Sequence, residues 1–229
     1  MKLDKLRSAF QHEGEFSRRL FLAYAASLAS VPLSGQCASA ATRHSFTSDP
    51  FTCGVASGDP DHQSVVLWTR LPPKPLEPGG GMPSTPVAVH WELAADSAFK
   101  TIIQSGKINA TPALGHSVHV EPAGLKSDRW YFYRFQSGGA TSPIGRTRTL
   151  PAPGDSPEKL RFAVTSCQNY EQGLFTAYQQ MAADDPDLVF HLGDYIYEYS
   201  GVNGRVRKHH GPEIETLDQY RSRYAQYRG

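Results

Sequence analysis

The chain has 229 residues, 39% apolar and 20% charged, a composition typical of a folded globular protein and unlike that of a disordered one. Its formal net charge is +1, and residues 1–40 carry five Lys/Arg against three Asp/Glu, so the rest of the chain has a net charge of about −1. This balance argues against a nucleic-acid-binding surface.

The N-terminal 1–40 segment has the features of a twin-arginine signal peptide. Arg18 and Arg19 stand in Ser-Arg-Arg-Leu-Phe-Leu, ahead of an apolar run from Leu20 to Leu33, and residues 38–40 read Ala-Ser-Ala, a cleavage site. The run is shorter than the roughly 20 residues that cross a bilayer, so we expect no permanent membrane anchor. The leader predicts export of a folded protein by the twin-arginine translocation machinery, to the periplasm or the exterior.

The cysteines do not indicate a disulfide-rich protein. Cys37 lies in the leader, where a lipid anchor is an alternative that Ser-Gly-Gln before it fits poorly. Only Cys53 and Cys167 then remain, and two cysteines do not make a disulfide framework, although they could pair with each other.

Residues 46–150 are predicted to form a small all-β module. Turn residues separate its short β-prone runs at the spacing of a sandwich, and several runs alternate apolar and polar residues. The stretch from Leu71 to Pro86 is rich in Pro and Gly and is predicted to be a surface loop. The end of the module, from Gly124 onward, resembles the last strands of a fibronectin type III domain. The predicted strands cover residues 65–69, 87–93, 102–106, 117–120 and 130–135.

A linker at 151–160, marked by three prolines, separates this module from a predicted strand–helix–strand unit. Arg161 begins the first strand, and residues 173–185 form a helix that Asp185-Pro186 ends. The run 188–192 is almost continuously apolar, as expected for a parallel strand covered on both faces. A last helix is predicted to begin at Thr216, with Gln219 completing a capping box and Leu217, Tyr220, Tyr224 and Tyr227 on one apolar stripe.

Residues able to bind a metal follow both strands of this unit. Cys167 follows the first strand, Asp194 follows the second within Gly193-Asp194, and Tyr197 lies three positions later. Because the carboxyl ends of parallel strands meet at one edge of a sheet, these side chains are expected to lie together. Gly193 would allow a tight turn beside them. The arrangement predicts a metal-dependent hydrolase.

The donor types indicate which metals this site would hold. Thiolate and phenolate favour a trivalent iron, whereas the carboxylate of Asp194 also suits a harder divalent ion. A carboxylate shared by two ions can hold them at the separation of about 3.5–4 Å used for phosphoester hydrolysis. Asp194 is therefore the predicted catalytic residue, and the site a mixed one with iron(III) and a divalent ion.

Three motifs, taken together, resemble the PhoD-type alkaline phosphatase and phosphodiesterase family. Residues 191–198 read His-Leu-Gly-Asp-Tyr-Ile-Tyr-Glu, with Thr-Ser-Cys-Gln at 165–168 upstream. Residues 54–60, Gly-Val-Ala-Ser-Gly-Asp-Pro, with Val-Val-Leu-Trp-Thr-Arg at 65–70, resemble the N-terminal domain of that family. The resemblance extends over essentially the whole chain, and the leader agrees with it.

This resemblance implies metal ligation by Cys167, Asp194 and Tyr197, with Fe(3+) and Ca(2+) as cofactors and phosphate mono- or diesters as substrates. It implies an α+β two-domain fold: a fibronectin III-like β-sandwich at 46–150, then the first βαβ part of a metallophosphoesterase α/β sandwich at 161–229. The family's catalytic domain continues beyond this point, so we expect an incomplete domain whose remaining ligands are missing here. The 229 residues alone are expected to be inactive and monomeric.

Other polar residues receive lesser roles. Asn169 could orient a ligand or the substrate, whereas His191 is expected to be a hydrogen-bonded core histidine and Cys53 a small buried residue. His209 and His210 lie in a loop rich in Gly, Lys and Arg and are not expected to replace the missing ligands.

Two other functions remain open from the sequence. A purple-acid-phosphatase-like enzyme shares the Gly-Asp-x-x-Tyr pattern but would have Asp in place of Cys167. A non-catalytic β-sandwich binding module with a vestigial α/β tail requires that the natural product end at Gly229.

Overall fold

The computed structural model describes residues 44–229, so the predicted leader with Arg18 and Arg19 and its cleavage site lie outside the described residues. The fold is mostly β-sheet with few helices. Its strands are β1 Val55–Gly58, β2 Val66–Arg70, β3 Val87–Ala94, β4 Ile102–Ala110, β5 Ser117–Val120, β6 Trp130–Ser137, β7 Ala140–Thr141, β8 Gly145–Arg148, β9 Phe162–Thr165 and β10 Leu188–His191; the helices are α1 Thr176–Ala183 and α2 Leu217–Arg228.

Two antiparallel sheets form the β-module. One has the order β1-β2-β5, and the other has β4-β3-β6 with both β7 and β8 paired to β6. Strand β6 shows why the sequence folds this way, because every second side chain from Tyr131 to Ser137 is buried and the others are only partly covered. Buried side chains of both sheets and of the loops beside them meet in one apolar core: Phe51, Val65, Leu67, Leu71, Val87, Val89, Leu93, Ala110, Val118, Leu125, Tyr131, Tyr133 and Phe135.

The predicted strands of the β-module occur close to their predicted positions, although β4 continues to Ala110, and the predicted strands did not include β1, β7 or β8. The stretch from Leu71 to Pro86 contains a short 3-10 helix at Pro78–Gly81 and no strand, in agreement with the sequence.

After the linker, β9 and β10 pair in parallel, with Thr165 opposite His191, and α1 lies between them in the chain. Helix α1 is shorter than predicted because Phe175 has a left-handed backbone (φ +57°), so the helix begins only at Thr176 and Leu174 stays exposed. The sequence predicted that strand β10 would be covered on both faces, and this prediction is wrong. Within the described part of the chain this sheet has only two strands, so Phe190 remains 47% exposed and Phe162 60%.

Helix α2 begins as predicted. The Thr216 side chain accepts from the Gln219 amide, and the Gln219 side chain accepts from the Thr216 amide, which completes the capping box. The predicted apolar stripe is only partly buried: Tyr227 is buried, but Leu217 and Tyr220 are exposed. Over residues 44–229 none of the helices combines the length and apolar character needed to cross a membrane.

Candidate metal centre

The loops that follow β9 and β10 are joined by backbone hydrogen bonds. The Cys167 amide donates to the Gly193 carbonyl (3.0 Å), and the Gln168 amide donates to the Asp194 carbonyl (3.2 Å). The pairing of the two strands therefore continues into the loops, and it brings Cys167 beside Asp194, as the sequence predicted from the parallel order.

Two of the predicted metal ligands contact one carboxylate oxygen of the third. The Cys167 thiol lies 3.5 Å from Asp194 Oδ2, and the Tyr197 hydroxyl donates to the same oxygen at 3.2 Å. Cys167 and Asp194 are exposed to solvent and Tyr197 is half-buried. A thiol, a carboxylate and a phenol thus face one another at an open edge of the sheet, where a solute can reach them.

The backbone is strained at two of the predicted ligands. Cys167 (φ +53°) and Asp194 (φ +51°) both have left-handed conformations, which cost non-glycine residues on the order of 1–3 kcal/mol each. Gly193 between strand and carboxylate has φ +122°, which only glycine adopts freely, in agreement with the predicted tight turn. Such strain persists only where the surrounding structure holds it.

A buried glutamine holds the two loops from below. Gln168 donates from Nε2 to the Tyr195 carbonyl (2.8 Å) and accepts from the Tyr178 hydroxyl (2.6 Å), which also lies 3.0 Å from the Thr165 hydroxyl. The site is therefore connected to α1 as well as to both strands. Gln168 was not among the predicted site residues, although it directly follows Cys167 in the sequence.

The Tyr197 phenol has a raised pKa. Burial is the main cause, and the neighbouring Cys167 and Asp194 side chains raise it further because a phenolate would lie beside their negative charge. Without a cation the phenol therefore keeps its proton at neutral pH and donates it to Asp194.

The donor set fits a metal that prefers anionic ligands. A bound cation would remove the repulsion between thiolate, carboxylate and phenolate, and would favour the deprotonated form of Tyr197. Within residues 44–229 no three His, Cys, Asp or Glu side chains cluster closely enough to hold a metal. The candidate centre thus depends on Tyr197 as its third donor.

The remaining sequence candidates have structural contacts. The Asn169 side chain accepts from the Glu171 amide (3.0 Å) and caps a 3-10 turn, so its oxygen is engaged locally. His191 is half-buried; its Nδ1 accepts from the Gly193 amide (3.3 Å), and its Nε2 is buried without a partner among the described residues. His209 lies 2.9 Å from the Tyr227 hydroxyl and is buried, in agreement with a role other than ligand.

Cys53 and Cys167 are both free, with Cys53 buried in the β-module as predicted and Cys167 exposed. The thiol expected at the metal centre is therefore available.

Comparison with known proteins identifies the family of this chain. The sequence profile of the PhoD-like phosphatase N-terminal domain matches residues 36–151, and that of the PhoD-like phosphatase matches residues 162–229. Alkaline phosphatase D of Bacillus subtilis (strain 168) is 48% identical over 237 residues, which cover 99% of this chain and 40% of that protein. A solved structure described as "Structure of PhoD" superposes with a TM-score of 0.77 at 55% identity, over 81% of this chain and 36% of that one. The chain thus spans less than half the length of these relatives.

Proposed function

Because the chain belongs to the PhoD-like phosphatase family, we propose that it is the N-terminal part of a metal-dependent phosphoric ester hydrolase that releases phosphate from mono- or diesters. The observation that carries the proposal is the meeting of the Cys167 thiol and the Tyr197 hydroxyl at Asp194 Oδ2. These are the three donors that the sequence placed at the ends of β9 and β10.

In this proposal Cys167, Asp194 and Tyr197 would hold Fe(3+), and Asp194 would also be a ligand of Ca(2+). When bound, the two ions supply the positive charge and Lewis acidity that phosphoester hydrolysis needs. Purple-acid-phosphatase-like chemistry is the less favoured alternative, because a thiol stands where that class would have a carboxylate.

The chain's own residues prepare this chemistry in three ways. Asp194 provides the central carboxylate and is the proposed catalytic residue. Tyr197 supplies a phenol whose hydroxyl donates to Asp194 Oδ2 (3.2 Å), and it would become an anionic ligand of a bound cation after losing that proton to solvent. The exposure of Cys167 and Asp194 leaves the edge of the sheet open to an ester.

We further propose that β9, α1 and β10 begin the α/β sandwich of a metallophosphoesterase domain, and that the remaining strands and metal ligands lie outside this chain. Two features support this: the chain covers 40% of its Bacillus relative, and apolar side chains such as Phe162, Val189 and Phe190 are exposed on the β9–β10 sheet. On this basis the 229 residues alone are inactive.

The localisation proposal follows from the leader. Arg18 and Arg19 support recognition by the twin-arginine translocation machinery, and the folded enzyme is then released to the periplasm or the exterior as a monomer. Its other partners are the phosphate esters themselves.

The test is hydrolysis of a chromogenic phosphodiester by the protein expressed from its complete gene, with iron and calcium supplied. Asp194→Asn should lower kcat/KM by at least about 100-fold, since loss of groups that merely support metal ligands already costs 10–100-fold. Asp155→Asn, at an exposed aspartate after β8, is the matched control and should retain full activity. A folded, metal-loaded protein without activity, or an Asp194→Asn variant with full activity, would overturn the proposal.

A further inference from the structure

Helix α2 contains a buried arginine that reaches the candidate site through the backbone. Arg223 is only 2% exposed, and its guanidinium donates to four carbonyls: from Nη1 to Tyr197 (2.5 Å) and Tyr199 (2.9 Å), and from Nη2 to His210 (3.3 Å) and Pro212 (3.4 Å). Burying a guanidinium is costly unless its donors are satisfied, and here backbone oxygens satisfy them.

The segment that contains Asp194 and Tyr197 is held from two sides. On one side, the Gly193 and Asp194 carbonyls accept from the backbone amides of Cys167 and Gln168, and the Tyr195 carbonyl accepts from the Gln168 side chain. These bonds fix the residues that come before Tyr197.

On the other side, three consecutive carbonyls are fixed from α2 and the loop before it. Arg223 binds those of Tyr197 and Tyr199, and the Ile214 amide donates to that of Glu198 (3.0 Å). The backbone that carries the Tyr197 phenol is therefore held at its own carbonyl and at the next two.

Helix α2 is itself fastened to the β-module. Arg228 donates to the carbonyls of Cys53 (3.0 Å) and Val55 (3.0 Å), and Arg70 donates to the Arg221 carbonyl (2.7 Å). The helix can therefore transmit the rigidity of the β-sheets to the residues after β10.

The Tyr224 ring adds an apolar link at the same place. It lies between Trp68 of β2 (5.9 Å between ring centroids) and Tyr195 of the candidate site (5.4 Å). Tyr224 therefore joins the β-module to the residues just before Tyr197 through side chains as well as through backbone.

We infer that Arg223 is a positioning residue for the metal centre: it fixes the backbone of Tyr197 so that the phenol stays directed at Asp194, with α2 as the bracket to the β-module. The inference rests on the proposed function, because it assumes that Tyr197 is a metal ligand. Arginine suits the role better than lysine because its planar fork presents five donors in fixed directions, whereas a lysine ammonium carries three on a flexible stem.

The test compares Arg223→Lys with Arg205→Lys in the protein expressed from its complete gene. Arg205 is exposed in the loop before α2 and has no side-chain hydrogen bond to residues 193–199, so it is the matched control. Two quantities are measured: the Fe(3+) affinity, by titration, and the hydrogen-exchange rate of peptides covering residues 195–201 in the metal-free protein. Exchange in the β-module peptides checks that each variant is folded.

Arg223→Lys should bind Fe(3+) about 10–100-fold more weakly, the range seen when groups that orient metal ligands are lost. It should also exchange about 10-fold faster at residues 195–201, because local opening becomes easier, while Arg205→Lys matches the wild type in both measurements. Unchanged exchange would overturn the positioning role, and faster exchange with unchanged affinity would reduce Arg223 to a purely structural residue. If the wild-type protein itself bound no Fe(3+), the proposed function would fail, and this inference with it.

Discussion

The β-module and the segment after the linker are stabilised in different ways. All thirteen residues of the apolar core lie between Phe51 and Phe135, in the two antiparallel sheets and the loops beside them. In residues 161–229, by contrast, the buried apolar side chains are Ile214, Ala225 and Tyr227. This second region is ordered mainly by hydrogen bonds from buried polar side chains to backbone.

The difference indicates how the two regions divide the work. Apolar packing stabilises the two sheets of the β-module, whereas in the second region hydrogen bonds between two loops hold the backbones of Cys167 and Asp194. The residues proposed for catalysis all lie in the segment with the smaller core. Helix α2 connects the two.

The largest expected effect compares two phenylalanines. Phe135 is fully buried in β6, so Phe135→Ala should lower the free energy of unfolding by about 3–5 kcal/mol. Phe190 lies in the exposed strand β10, so Phe190→Ala should lower it by less than about 1 kcal/mol. Urea unfolding followed by circular dichroism measures both. Equal losses would show that the β9–β10 sheet has a core of its own and would remove the contrast.

The two cysteines give a second comparison. Burial raises the pKa of the Cys53 thiol, whereas Cys167 is exposed. Iodoacetamide should therefore label Cys167 about 100-fold faster than Cys53 in the native protein, because alkylation needs an accessible thiolate. Peptide mass spectrometry gives both rates, and Fe(3+) should slow the labelling of Cys167 only. Labelling of Cys167 that Fe(3+) does not slow would argue against a thiolate ligand.

A buried carboxylate in the second region predicts a pH dependence. Burial alone would raise the pKa of Glu171, but hydrogen bonds from the His209 and Val202 amides outweigh it and lower the pKa below its ordinary value. The Glu171 carboxylate therefore stabilises the folded protein fully above its unfolded pKa of about 4.3. This contribution to the free energy of unfolding is lost as the pH falls through the lower pKa of the folded state.

Glu171→Gln should accordingly reduce the free energy of unfolding by about 1–2 kcal/mol at pH 7, with the difference from the wild type vanishing in strong acid. Denaturant unfolding at several pH values measures this. Glu213→Gln, at an exposed glutamate in the same region, is the control and should follow the wild-type profile. A Glu171→Gln deficit that persists unchanged into strong acid would exclude the charge as its cause.

The smallest expected effect concerns the N-terminus of helix α2. Thr216→Ala removes the N-cap of α2 and should cost about 1 kcal/mol, seen as faster hydrogen exchange in α2 with the β-module unchanged. Thr111→Ala is matched to it, because Thr111 occupies the N-cap of a 3-10 helix without a side-chain capping bond and should cost less. Equal effects would indicate that the capping box does not stabilise α2.

Much of the architecture could be predicted because local patterns carry it. The alternation in β6, the capping box at Thr216 and the turn at Gly193 each follow from residues near one another in the chain. The convergence of Cys167, Asp194 and Tyr197 was predictable for a related reason, since parallel strands place their carboxyl ends together.

What the sequence did not reveal depends on distant contacts. Strand β10 is exposed because it has one neighbouring strand among the described residues. The apolar composition of a strand does not indicate how many strands or helices pack against it. The left-handed backbones of Cys167 and Asp194 follow from loop-to-loop hydrogen bonds. Arg223 was missed because its four acceptors lie 11–26 residues away, although an arginine between Tyr220 and Tyr227 on a partly apolar helix face was a signal.

The account depends most directly on Tyr197 being a donor to the metal. Titration of Fe(3+) into the protein expressed from its complete gene, followed by resonance Raman spectroscopy, would test it, because a phenolate bound to Fe(3+) gives a band from its ring vibrations that a bound thiolate does not give. Tyr199, which stacks on Tyr197 at 6.1 Å between ring centroids, is the matched control. We predict that the band appears in the wild type and in Tyr199→Phe and is lost in Tyr197→Phe. A band that survives in Tyr197→Phe would contradict the proposed metal centre.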